Sequence, residues 1–126
     1  MHYSQISGLG GQPDVGARVD CGGGGVFNAY GATATNVFDN RWHQYAITLE
    51  SIADTTFRYR SFRDGQQIGG DYIYNLGAGF GSESVPLRVG GPGNGNWYTG
   101  FMDEAAIYCR ALSPAEINAN YSNGIP

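Results

Sequence analysis

Lysine is absent from this chain: its basic residues are 7 arginines, set against 11 acids, for a net charge of −4. A nucleic-acid surface is argued against, because counterion release needs a clustered basic patch. Long apolar runs are missing as well. No stretch approaches the roughly 18 apolar residues that cross a bilayer, so no membrane span is expected. The opening MHYSQISGLGG has neither the basic n-region nor the apolar h-region of a secretory signal, and no leader is expected there. Cysteine is scarce. Cys21 and Cys109 lie far apart and outside any CxxC, which suits two small buried or half-buried thiols or one disulfide. With only His2 and His43 to add, the ligand spacing of a zinc site is not met.

What is present points to one domain spanning residues 1–126, long enough for a real core but not for two. The 21 glycines and 5 prolines stay below the fraction at which low-complexity disorder sets in, and they punctuate short apolar segments instead. GARVDCGGGGVFNAYGA reads as two strand pieces around a glycine linker at 22–25. RWHQYAITLE is a strand with His43, Tyr45, Ile47 and Leu49 on one face and Trp42, Gln44, Ala46 and Thr48 on the other. TTFRYRSFRDGQQIGGDYIYNL gives a strand, a turn at Asp64 and Gly65, and a second strand. SVPLRVGG is a further strand, GPGNGNWYTG a loop, and FMDEAAIYCRAL the last strand.

The end of the chain carries the sharpest local signal. In LSPAEI, Ser113 stands at a helix cap, Pro114 at the first helical position, and Glu116 completes a capping box. Leu112 and Ile117 occupy the staple positions. One short helix is expected near 115–122, docking Ile117 and Tyr121 on a sheet edge and stopping near Gly124. Evenly spaced short strands with Gly-rich turns and a single terminal helix define an all-β sandwich or barrel.

Chemistry has few candidates. Asp103 and Glu104 are neighbours on the expected last strand, so they face opposite ways and cannot serve as the facing carboxyls, roughly 5–9.5 Å apart, of a glycosidase. Asp103 shares its face with Phe101, Ala105, Ile107 and Cys109; a structural role is expected, with the carboxylate buried and accepting hydrogen bonds. Metal ligation is the alternative. GGPGNGN has the glycines of a phosphate loop without its lysine and helix, and reads as a hairpin tip. Beside that tip, Asn96, Trp97 and Tyr98 offer aromatic faces to a sugar or a partner, or a lid on the core. Arg58 and Arg60 share a strand face opposite Phe57, Tyr59 and Ser61; they form either a solvated surface or an anion site. Asp39 and Asn40 fit a turn or calcium oxygens. No Ser/His/Asp or Cys/His set assembles. His43 is expected to orient a group at the core edge, and Trp42 beside it is expected to be structural.

These residues resemble a known family. FDNRWHQYAITLE, FRYRSFRDGQQIG, PLRVGG and GFMDEAAIYCRALSPAEINANY look like the laminin-G-like (LamG) domain of the concanavalin A-like lectin/glucanase superfamily, most strongly over 38–122. The resemblance implies a jelly-roll β-sandwich of two antiparallel sheets with a concave face, and a mostly extracellular or cell-surface setting. It makes MDEAAIYCRAL the closing strand and Asp103 its structural acid. The chain departs from the pattern at Cys109 and Arg63, and the family's N-terminal strands look absent, so the domain is expected to be N-terminally shortened. Calcium ligands in the family often draw on that region. No cofactor is expected, calcium being the one the family admits.

The function implied is non-catalytic recognition of a glycan or protein through the concave face and adjacent loops, with Trp97, Tyr98, Arg58, Arg60 and Asn96 as the ligand-binding residues. The alternative is a structural or self-assembly module, a homodimer covering the edge left by missing strands. A glycoside hydrolase needs two or three acids alternating on one strand, a pattern not found here, so no enzyme activity is expected.

Overall fold

The computed structural model describes the backbone of residues 2–9, 12–20 and 26–30, and backbone and side chains of 40–75 and 100–124. The described residues are mostly strands, followed by one short helix near the C-terminus. Strands β1 (His2–Leu9), β2 (Gln12–Asp20) and β3 (Val26–Tyr30) form an antiparallel sheet in chain order. Its register runs from His2↔Val19 to Leu9↔Gln12 and from Gly16↔Tyr30 to Asp20↔Val26.

HYSQI was expected to add one short edge strand, and β1 does stand at the edge of this sheet, longer than expected. β1 extends over 8 residues. The polar composition is no obstacle, since ladder bonds come from the backbone, and Tyr3 and Ile6 supply strand-favouring side chains.

A second antiparallel sheet holds β4 (Tyr45–Ala53), β5 (Thr56–Arg63) and β6 (Gln66–Asn75), again in chain order. Asp64 and Gly65 join β5 to β6 with φ of +51° and +74°. Two left-handed residues in succession are what a tight hairpin needs if its twist is to match the strands. Two irregularities shape the sheet. Glu50 pairs opposite Arg58 in regular register, and a register shift follows between Ser51 and Ala53. A second, on β6 near Gly69 (φ +73°), leaves Tyr59 opposite Tyr72 while Ser61 stays opposite Ile68.

The core follows β5. Phe57, Tyr59 and Ser61 are buried on one face, alternating with half-exposed Arg58 and Arg60, and Phe62 is buried on the arginine side. Ser61 Oγ donates to Tyr59 Oη at 2.9 Å, which satisfies both hydroxyls in the interior. The Tyr59 and Tyr72 rings meet tilted, 6.2 Å between centroids.

Helix α1 (Pro114–Asn123) carries the expected capping box. Ser113 Oγ accepts from the Glu116 amide at 3.3 Å, and Glu116 Oε2 accepts from the Ser113 amide at 2.8 Å. Ile117 is buried and Gly124 (φ +83°) ends the helix. A Cβ placed on Gly65 would come within 2.9 Å of Asn118 Nδ2 and 3.1 Å of Asn118 Cα and Tyr121 Cβ. The helix therefore lies against the β5–β6 turn, and only glycine admits it there. Tyr121 lends its stem to that contact while its ring stays half exposed.

The expected closing strand is a correction. Among the described residues, 101–108 carry no strand pairing, and Phe101 is 84% exposed. Glu104 sits at φ +51°, a left-handed step that breaks strand alternation, and its amide is taken by the Asp103 carboxylate at 2.9 Å. Asp103 is exposed rather than buried, because this local turn leaves it in solvent. Trp42 is also corrected: it is 70% exposed, ahead of a strand that begins only at Tyr45. The SVPLRVGG segment, the 92–96 tip and Cys21 lie outside the described residues.

Candidate functional site

A groove of about 280 Å³ lies between the arginine face of β4–β5 and the start of α1. Glu50, Arg58 and Arg60 line it from the sheet, residues 110–114 and Glu116 from the other side. Strand alternation puts Arg58 and Arg60 on one face, and the unbroken register from Tyr45↔Arg63 to Glu50↔Arg58 puts Glu50 on the same face.

The groove's charged residues are held to different degrees. Arg60 binds Asp71 in a fork, Nε to Oδ1 at 2.9 Å and Nη2 to Oδ2 at 3.0 Å. Gln67 Nε2 adds a bond to Asp71 Oδ1 at 3.0 Å. The Arg60 guanidinium, then the Gln67 amide, hold the Asp71 carboxyl well below the ordinary range, at about 2, and Asp71 in turn raises the Arg60 pKa. Arg110 makes a similar fork with Glu116, one arm Nη1 to Oε2 at 3.0 Å. Arg110 and the Ser113 amide and hydroxyl bring the Glu116 carboxyl to about 2.

Arg58 and Glu50 differ. Glu50 Oε2 stands 3.8 Å from Arg58 Nη1 and 3.7 Å from Arg60 Nη1, too far for hydrogen bonds. Arg58 Nε is 3.8 Å from Asp71 Oδ2 and, though enclosed, has no hydrogen-bond partner among the described residues. These contacts are attractive, but at 3.7–3.8 Å they are ion pairs without hydrogen bonds.

At the other end of β5 the polar groups are closely joined. Asp64 Oδ1 accepts from the Gln44 amide at 3.0 Å, and the Asp64 amide donates to Gln44 O at 2.9 Å. Asp64 Oδ2 lies 2.7 Å from His43 Nδ1, and Arg63 Nη2 lies 2.8 Å from His43 Nε2. Arginine can only donate, so Nε2 accepts and Nδ1 carries the proton given to Asp64. His43 thus fixes the carboxylate that anchors the turn.

Of the residues expected to bind a ligand, the structure brings together Arg58 and Arg60; Asn96, Trp97 and Tyr98 lie outside the described residues. Sequence reasoning missed Glu50, Asp71 and Arg110. Asp71 follows the visible Asp64–Gly65 turn by strand counting, and a Gly-Gly irregularity at 69–70 was the available hint. Glu50 continues the Gln44, Ala46 and Thr48 face of β4, so alternation was the available signal, and its partner Arg58 is set by the pairing of β4 with β5. Among the described residues no group of three or more His, Cys, Asp or Glu could hold a metal ion, and no helix is long and apolar enough to cross a membrane. Asn40 turns the chain at φ +60°, and Asp39 beside it is not described.

Two small antiparallel sheets, a capped terminal helix and a polar groove beside it define the class as a β-rich domain with one C-terminal helix. The family model for laminin-G-like domains, described as the concanavalin A-like lectin/glucanases superfamily, matches residues 5–118. The chain belongs to this family. The match includes the stretch before residue 38 that had looked foreign to the pattern. Domains of this superfamily often bind carbohydrate or protein; laminin-G-like members are generally non-catalytic, although the superfamily includes glucanases. No curated protein and no solved structure matches the chain.

Proposed function

We propose that this chain is a non-catalytic recognition domain that binds a glycan at the groove formed by Glu50, Arg58, Arg60 and the start of α1. The observation that carries this reading is the loosely engaged Glu50–Arg58 pair, 3.8 Å apart inside a groove large enough for a sugar ring. Polar groups this far apart are natural places for a bridging hydroxyl or water. Asn96, Trp97 and Tyr98 belong to the same proposal as stacking and hydrogen-bonding partners. The buried face of Phe57 and Tyr59 supports the two sheets packing as a jelly-roll sandwich, which leaves the arginine face for ligand. A glycan-array comparison of the wild type with Arg58→Gln tests the site. Loss of at least about tenfold in signal for bound glycans is expected; full binding by the variant refutes the assignment. A reducing-sugar assay should show no release from glucans, and sustained release would make the domain a hydrolase.

A second reading, a self-assembling homodimer without a small ligand, is favoured by the exposure of Phe101, Met102, Ile107 and Tyr108. Light scattering separates the two: a dimer supports association, and a particle of 13.5 kDa is the monomer.

A further inference from the structure

The three guanidiniums around the groove invite an anionic ligand, yet each has an acid beside it. Arg60 is neutralised by Asp71 and Arg110 by Glu116, both through two-armed hydrogen bonds. Glu50 is the exception: its Oε2 faces Arg58 Nη1 and Arg60 Nη1 together and bonds to neither. We infer that Glu50 sets the specificity of the groove, selecting uncharged, hydroxyl-bearing saccharides and rejecting acidic ones. The inference rests on the glycan-binding reading above.

The chemistry follows from donor and acceptor counts. Glu50 only accepts and the guanidiniums only donate. A neutral sugar hydroxyl does both: it gives its proton to Glu50 Oε2 and takes one from Arg58 or Arg60, turning gaps of 3.7–3.8 Å into two charge-assisted hydrogen bonds. A carboxylate or sulfate in the same place has no proton for Glu50 and sets like charges side by side. At contact distances and surface dielectrics such a juxtaposition weakens binding by about tenfold or more. Asp71 and Glu116 already take two arms each of Arg60 and Arg110 and offset their charge, so these guanidiniums give an acidic ligand little compensation.

The test uses the intact chain and two matched probe sets at low ionic strength: neutral gluco-, galacto- and manno-oligosaccharides, and uronate oligomers of the same lengths. The wild type is expected to bind at least one neutral series, with every acidic series at least tenfold weaker. Glu50→Gln, which keeps shape and removes charge, is expected to narrow that gap to less than about threefold. The side chain of Glu50 is half exposed, so the variant should fold, and an unchanged melting curve confirms it. Acidic oligomers binding the wild type as well as or better than neutral ones overturn the specificity while leaving glycan recognition standing. So does a gap that survives in Glu50→Gln. If neither series binds, the recognition reading itself falls and the inference falls with it.

Discussion

The two ends of the β4–β5–β6 sheet are finished in opposite ways. At the Asp64–Gly65 turn, short hydrogen bonds link Asp64 to Gln44 and His43, and α1 lies so close that a single added carbon has no room. At the groove, Glu50 and Arg58 face each other across 3.8 Å as an ion pair without a hydrogen bond. Helix α1 joins the two ends, with its cap at the groove and Asn118 and Tyr121 at the turn. The closed end has the features of stability, and the open end those of recognition.

Gly65→Ala attacks the closed end hardest. It forces a left-handed φ on alanine and pushes against Asn118 Cα, so a loss of about 2–4 kcal/mol in denaturant unfolding is expected. Gly70→Ala is the control, with nothing within 4 Å of its Cβ; it should be neutral or slightly stabilising. Equal effects of the two would remove the close-approach argument. Asp64→Ala releases the Gln44 amide and His43, and should cost about 1–3 kcal/mol by the same measurement. Ser113→Ala removes one half of the capping box and should cost about 1 kcal/mol.

Acid should act on the ion pairs flanking the groove. Asp71 and Glu116 titrate at about 2 in the folded chain, below the ordinary carboxyl value of about 4 that applies when unfolded. A depressed folded value means that the stabilisation is fully present above the unfolded value and fades as pH falls toward 2. Melting temperature should therefore be flat with respect to these groups above about pH 5 and decline below about pH 4. In Asp71→Asn the decline should be shallower.

The parts legible in the sequence were those specified by local chemistry. Ser113, Pro114 and Glu116 wrote the helix start, and Asp64–Gly65 wrote the turn, because each motif depends on residues next to one another. The alternation of Phe57, Tyr59 and Ser61 against Arg58 and Arg60 was equally plain. What escaped was non-local. Glu50 reaches the arginine face by plain alternation from Thr48, but only the β4–β5 pairing, not the strand's own sequence, sets it opposite Arg58. The alternating pattern of 101–109 promised a strand, but the left-handed step at Glu104 undoes it. The polar opening residues hid a paired strand because the ladder is made by the backbone.

The most direct test of the contrast between ends is an NMR titration that follows the Nε–Hε signals of Arg58, Arg60 and Arg110 as a neutral oligosaccharide that binds on the array is added. The expected result is a saturating shift at Arg58, with Arg60 and Arg110, already held by Asp71 and Glu116, moving far less. Saturable binding that leaves the Arg58 signal unmoved would contradict it.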